Sequence, residues 1–246
     1  MLLEARGLTC RFGGHVAVNN VDLSVRGGTL HAIIGPNGAG KTTLFNLLSG
    51  ELKPSAGAIL FDGCAVTELD ITARVRAGIG RTFQRTNIFP GLSVFENLRI
   101  AAQARSAKRA ALWRRADSLG EVSARAERVL EETSLSEMAH KPARELAGGD
   151  QRLLELGVAL ATAPVMLLLD EPSQGLSPED ARRLIARIRA LAARYTVLLI
   201  EHNMALVMEL SDEITVMNFG AVLARGTPAE IRADARVREA YLGRRG

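Results

Sequence analysis

The chain has 246 residues, 47% hydrophobic and 24% charged, a composition that excludes a mostly disordered protein and allows one large domain with an insertion. Thirty-one Lys and Arg against 27 Asp and Glu leave +4, too slight an excess to point to nucleic acid, and 4% aromatics offer no base-stacking platform. Two cysteines, Cys10 and Cys64, make no disulfide framework or metal spacing and suit a reducing compartment. The most apolar stretch, Gly157 to Leu169, is broken by Thr162 and Pro164 and falls short of the roughly 20 residues a membrane helix needs. The start, Met-Leu-Leu-Glu-Ala-Arg, lacks the basic segment and apolar run of a signal peptide, so the chain is expected in the cytosol unless another subunit holds it at a membrane.

From Leu2 to Ile34 the pattern predicts strands, with Val16, Val18, Val21, Leu23 and Val25 closely spaced and Gly13-Gly14 and Gly27-Gly28 as turns. A helix is expected from about Lys41 to Leu48, then short strands at 57–62 and 79–84. Between about Phe95 and Leu160 the chain is rich in Ala, Arg, Leu and Glu and reads as a helical insertion without strands. Its basic positions Arg99, Arg105, Lys108, Arg109, Arg114 and Arg115, with Trp113, read as a solvated helix face rather than a membrane-surface helix. Val165–Leu169 and Thr196–Ile200 are apolar runs of the kind that form parallel strands buried on both faces. Ser177-Pro-Glu-Asp has the cap, proline and acids of a helix start, and Thr227-Pro-Ala-Glu230 has the spacing of a capping box. Met204 and Met208, four residues apart, read as core packing.

Gly35-Pro36-Asn37-Gly38-Ala39-Gly40-Lys41-Thr42 fits the phosphate-binding loop pattern G-x-x-x-x-G-K-[ST], and it stands between an apolar strand and a helix beginning near Thr43. Glycines let backbone N–H groups wrap phosphates, Lys41 reaches the terminal phosphates, and Thr42 offers a hydroxyl to Mg²⁺. Asp170 and Glu171 close the strand Val165–Leu169 at the sheet edge where α/β proteins bind ligands. Alone they would read as solvated loop acids; beside the loop, Asp170 reads as a Mg²⁺ ligand and Glu171 as the residue facing an attacking water. Leu146-Ala147-Gly148-Gly149-Asp150-Gln151-Arg152 opens a helix with a glycine pair, which serves anion binding or simply starts the helix.

That last stretch resembles the signature motif of the ATP-binding-cassette family, Leu-Ser-Gly-Gly-Gln, which precedes the acidic strand there too. Gln84 in Arg81-Thr-Phe-Gln-Arg matches the family's Q-loop, Ser173-Gln-Gly-Leu-Ser177 its D-loop, and His202 its switch histidine. The resemblance covers nearly the whole chain and looks closest to ATPase subunits of branched-chain amino acid uptake systems, through Phe12-Gly-Gly-His-Val-Ala-Val, the loop itself, Arg-Thr-Phe-Gln…Ile-Phe-Pro and the tail from Gly226 to Tyr241.

It implies an α/β fold: a P-loop NTPase of ABC-ATPase type, with a RecA-like parallel-sheet core, an antiparallel β subdomain and a helical subdomain. The expected single domain spans 1–246, with 1–87 and 161–246 as nucleotide-binding core and β subdomain and 88–160 as the helical signature subdomain. It further implies ATP and Mg²⁺ as ligands. Phe12 would stack on adenine, Gln84 join Thr42 and Asp170 at the metal, and His202 work with Glu171. Two ATPase subunits, identical or related, would pair head-to-tail, each ATP lying between one loop and the partner's signature motif.

Membrane permease subunits would carry the solute and hold the chain at the cytoplasmic face of the plasma membrane, with an extracytoplasmic solute-binding protein acting indirectly and no nucleic acid involved. Ala147 and Asp150 depart from the family's serine and glutamine, so one contact to the partner's γ-phosphate is missing while the Gly148 and Gly149 amides remain. The lipopolysaccharide-export type of ATPase is similar in motifs and tail. ATPase switches on ribosomes or DNA usually carry two cassettes or a long coiled coil, neither of which appears here, and no Asn-Lys-x-Asp guanine motif marks a GTPase.

Overall fold

The computed structural model describes residues 1–82, 88–103 and 117–242, so Gln84 and the basic positions from Arg105 to Arg115 lie outside the described residues. Two compact units are formed, one of residues 1–74, 168–171 and 192–246, the other of residues 75–167 and 172–191.

In the first unit, β1 (Leu3–Phe12) and β2 (His15–Val25) make an antiparallel hairpin that places Phe12 opposite His15 at the turn. β4 (Ala56–Phe61) pairs with β1 and β5 (Cys64–Ala65) with β4, giving a four-stranded antiparallel sheet in the order β2-β1-β4-β5. β3 (Leu30–Ile34) is buried at every residue, the environment its run Leu-His-Ala-Ile-Ile demands. It pairs in parallel with β8 (Thr196–Ile200) and β9 (Glu213–Asn218), and β10 (Ala221–Gly226) returns antiparallel on β9. Within this unit the second sheet runs β10-β9-β3-β8-β7, where β7 (Met166–Asp170) contributes its last three residues.

Helices α1 (Lys41–Ser49), α2 (Ile71–Ala77), α7 (Met204–Leu210), α8 (Pro228–Ala233) and α9 (Ala235–Leu242) belong to the same unit, apart from the last three residues of α2. Ala32, Ile34, Ile214 and Val216 from the sheet pack with Val207 of α7, Ile231 of α8 and Val237 of α9, and Met204 and Met208 add to that core as their spacing suggested. The capping box at Thr227 is formed: Glu230 N–H donates to Thr227 Oγ1 at 3.4 Å and Thr227 N–H to Glu230 Oε2 at 2.7 Å.

The second unit contains β6 (Ile79–Arg81), the beginning of β7, and helices α3 (Val94–Gln103), α4 (Asp117–Thr133), α5 (Gly148–Ala161) and most of α6 (Pro178–Ala192). This unit is wider than the expected stretch 88–160, since residues 75–82, 161–167 and 172–191 also belong to it. α3, α4 and α5 meet at Gly157, where a Cβ would stand 2.9 Å from Leu98 of α3 and 3.3 Å from Val129 and Thr133 of α4, so glycine sets how closely the helices approach. α6 begins as predicted, with Asp180 N–H donating to Ser177 Oγ at 3.1 Å and Pro178 as first helical residue.

Strand β6 ends at Arg81, short of the expected residue 84, of which residues 83–84 lie outside the described residues. β7 starts one residue after Val165, which is 48% exposed and donates its N–H to Gly78 O. Helices α2 and α7 and strand β5 go beyond the sequence reading, being too short to show a period. No helix among the described residues is long and apolar enough to cross a membrane.

Candidate functional site

β3 feeds a loop in which Gly35, Gly38 and Gly40 take φ of 153°, 80° and 96°, a region side chains disfavour. Two of these glycines are also forced by crowding. A Cβ would stand 2.2 Å from Met217 O at Gly35 and 2.3 Å from Ala17 O at Gly40. The loop is braced from β9–β10 by Gly220 N–H on Ala39 O at 3.0 Å, while Ala39 N–H closes a turn on Pro36 O at 3.1 Å. It bounds a cleft of about 360 Å³ lined by residues 37–43 together with His15, Ala17 and Glu171.

Lys41 is buried, and its Nζ donates to Gly35 O at 2.8 Å and Pro36 O at 3.0 Å, inside the curl of its own loop. Burial pushes its pKa down, opposed by the negative charges of Glu171 and Asp170. Thr42 is exposed and Thr43 half-buried, and the first turn of α1 carries no acid of its own, which leaves the positive end of the helix suited to an anion.

Asp170 is buried at the end of β7. Glu171 follows in a left-handed conformation, φ 46°, pinned by its N–H on Ile200 O at 2.9 Å. His202 lies 56% exposed past the end of β8, with Nδ1 3.9 Å from both Glu171 Oε2 and Glu201 Oε2, ion-pair range rather than a hydrogen bond. The first unit thus brings together the loop, both carboxylates and His202. Phe12 stands 50% exposed at the hairpin end, next to the cleft-lining His15.

Mg²⁺ takes hard oxygen ligands, and the Thr42 hydroxyl and Asp170 carboxylate are of that type. Among the described residues no group of three His, Cys, Asp or Glu could cage a metal by itself. This donor set fits a cation completed by phosphate oxygens and water.

Sequence reasoning missed four residues here. His15 and Ala17 line the cleft, and Ala17 O is what demands glycine at 40. Glu201, fully buried, accepts the His202 N–H at 3.2 Å. Tyr241 of α9 reaches the root of the loop: burial pushes its hydroxyl up to about 12, while the Gly35 N–H bonded to it pulls the other way. An apolar-to-polar step after β8 could have flagged Glu201; the other three depend on tertiary contacts.

The signature-like stretch belongs to the second unit. Ala147 is the N-cap of α5, extended at φ −63° and ψ 159°, and gives no side-chain cap. Gly148 is exposed, with open space where a Cβ would stand, whereas at Gly149 a Cβ would lie 2.3 Å from Asp180 Oδ1. Asp150, in the first turn, is buried and receives Arg183 Nη2 at 2.9 Å.

A family model described as "ABC transporter" matches residues 18–174, and one described as "Branched-chain amino acid ATP-binding cassette transporter" matches residues 221–246. The chain is 44% identical to the High-affinity branched-chain amino acid transport ATP-binding protein BraF of Pseudomonas aeruginosa, over 98% of each chain. It is 44% identical to the similarly described LivG of Escherichia coli K12, again over 98% of each. The solved ADP conformation of MJ1267, an ATP-binding cassette of an ABC transporter, is 32% identical with a TM-score of 0.86 over 98% of each chain. With these likenesses running over nearly its whole length, the protein belongs to the ABC transporter family as an ATPase cassette.

Proposed function

We propose that this cassette hydrolyses ATP to power uptake of branched-chain amino acids through separate membrane subunits. The observation that carries the ATPase reading is the loop itself, where Lys41 is already held in the curl and two carboxylates act on it. The solute is supported by the match of residues 221–246 and by the two relatives at 44% identity.

In this reading, residues 37–43 bind the phosphates and Lys41 exchanges its two carbonyls for phosphate oxygens. Phe12 covers the adenine. Thr42 and Asp170, with Gln84 from outside the described residues, would hold Mg²⁺, whose charge offsets that of the transferred phosphoryl group. Glu171 accepts a proton from the attacking water, and His202 orients water and γ-phosphate beside it. Ala147, Gly148 and Gly149 close over the ATP of a partner cassette, identical or related. Residues 88–160 would form the helical part that meets the permease, placing the chain at the cytoplasmic face of the membrane.

The test uses the assembled transporter in liposomes with its binding protein. ATP-driven uptake of labelled leucine, isoleucine or valine is expected, and Glu171→Gln should keep ATP binding while lowering turnover about 10²–10⁴-fold. Wild-type turnover in Glu171→Gln would remove Glu171 from its role, and ATP turnover coupled to no amino acid uptake would overturn the solute.

A further inference from the structure

The helix that starts at Gly148 carries a contradiction. In the reading proposed above, a partner's γ-phosphate docks on the Gly148 and Gly149 amides, yet two carboxylates flank the spot. Asp150 sits in the first turn of α5 with its side chain only 11% exposed. Asp180 packs against Gly149 so closely that a Cβ there would lie 2.3 Å from Oδ1 and 2.6 Å from Cγ. Negative charge suits a helix N-terminus in isolation, but within about 4–6 Å of a docking anion it opposes binding.

One guanidinium joins the two acids. Arg183 Nη2 donates to Asp150 Oδ1 at 2.9 Å and its Nη1 to Asp180 Oδ1 at 3.4 Å. The other oxygen of Asp180 accepts from Ser177 Oγ at 2.8 Å, which fixes the carboxylate in place. Arg152, the cation next along α5, is engaged on Glu155 Oε2 at 2.7 Å instead. Among the described residues Arg183 is thus the cation shared by both acids.

We infer that Arg183 is a positioning residue for ATP turnover: it neutralises Asp150 and Asp180 beside the glycine pair, so that this loop can accept a phosphate despite the acid at position 150. It acts through the two carboxylates, with no contact to nucleotide assigned to it. The ties are short-range and within one unit, so the role is independent of the loop that binds the chain's own ATP. Arg183 is 49% exposed but the Asp150 side chain only 11%, so losing Arg183 leaves a buried carboxylate unpaired and costs about 1–3 kcal/mol of stability, which a urea midpoint measures separately from turnover.

The prediction is a charge rescue. Arg183→Gln keeps a planar amide but exposes the phosphate to two uncompensated acids, and turnover of the assembled transporter should fall roughly tenfold or more. Binding of a fluorescent ATP analogue to the isolated full chain should stay within about twofold, which a global defect would not allow. Adding Asp150→Asn to Arg183→Gln should return most of the lost turnover, while Asp150→Asn alone stays near wild type; this coupling is what a double-mutant cycle isolates. Arg183→Lys, which retains the charge, should lose less than Arg183→Gln.

Wild-type turnover in Arg183→Gln, or a loss that Asp150→Asn does not relieve, would overturn the inference. So would a lysine variant as impaired as the glutamine one. Gly148→Asp is the control for the underlying reading: if it leaves turnover unchanged, no phosphate docks here and the inference falls with that reading. If Gly148→Asp inactivates while Arg183→Gln is silent, the inference alone is wrong.

Discussion

Arg74 offers the sharpest test of what holds α1, the helix after the glycine loop, in place. It is 1% exposed and spends its donors on backbone carbonyls: Nη1 to Leu47 O at 2.6 Å and Leu48 O at 2.8 Å, Nε to Leu69 O at 3.0 Å, and Nη2 to Thr67 O at 3.0 Å. Leu47 and Leu48 belong to the last turn of α1, whose carbonyls have no intrahelical partner, and a cation at that end also answers the helix dipole. Burial pushes the guanidinium down to about 10, still protonated at neutral pH. The left-handed Gly50, φ 84°, makes room, since a Cβ there would lie 2.9 Å from Arg74 Nε.

Arg74→Met fills the volume and removes every donor. Leu47 O keeps the Gly50 N–H at 3.3 Å, leaving three carbonyls to water or to nothing. At about 1–3 kcal/mol for each buried unsatisfied group, less what entering water recovers, the loss should be about 3–5 kcal/mol. Against a total stability of roughly 5–15 kcal/mol that is a large shift in the urea midpoint, readable by circular dichroism. Arg74→Lys, with charge but no fork, should lose about half as much. Because Lys41 and Thr42 open the same nine-residue helix, ATP affinity measured by calorimetry should fall too, by about tenfold or less, since only the far turn is freed. A methionine variant within about 1 kcal/mol of wild type would refute the reasoning, because water would then replace the guanidinium at no cost.

If Lys41 faces the terminal phosphates as proposed, Lys41→Ala should weaken ATP binding about 100-fold by calorimetry; near-normal affinity would contradict the loop assignment. Ala147→Ser supplies α5 with the missing N-cap hydroxyl and should raise stability by about 0.5–2 kcal/mol, with a higher melting temperature as the readout. His31, fully buried between Thr215 Oγ1 at 2.8 Å and Glu213 at 3.5 Å, is taken down to about 4 mainly by burial. It is neutral in the folded chain and protonates near 6.5 when unfolded, so the unfolded state binds the extra proton between those values. Stability should be full above pH 6.5 and fall through that window toward pH 4, by up to about 3 kcal/mol from this group; His31→Gln should flatten the slope of urea midpoints, and an unchanged slope would refute it.

What could be read from the sequence was whatever is local. Gly35 to Thr42, the cap at Ser177 and the box at Thr227 each carry their signal within eight residues, and each is formed. β3 and β8 were legible because burial on both faces leaves a continuous apolar run. Hidden from it were partnerships between distant residues. Asp150 looked like a plain departure from the family pattern, because its cation stands 33 positions on. Arg74 was one of many arginines until four carbonyls converged on it from α1 and the turn before α2. α7 is only seven residues long, and its placement follows from Val207 entering a core built by β3 and β9.

The end of β7 shows where the chain departs from backbone preference. In a regular strand, successive side chains point to opposite faces, so Asp170 and Glu171 would be carried apart. The chain instead turns left-handed at Glu171, φ 46°, a conformation that costs a non-glycine residue about 1–3 kcal/mol. The Glu171 N–H on Ile200 O holds the turn in place. As a result both adjacent carboxylates act on Lys41, and Glu171 lines the cleft around the glycine loop. Glycine would adopt this conformation freely but brings no acid. A strained acid at this position is therefore intelligible from the geometry: the twist lets two neighbours in sequence serve the same cation, one as the buried strand end and one as the group facing the cleft.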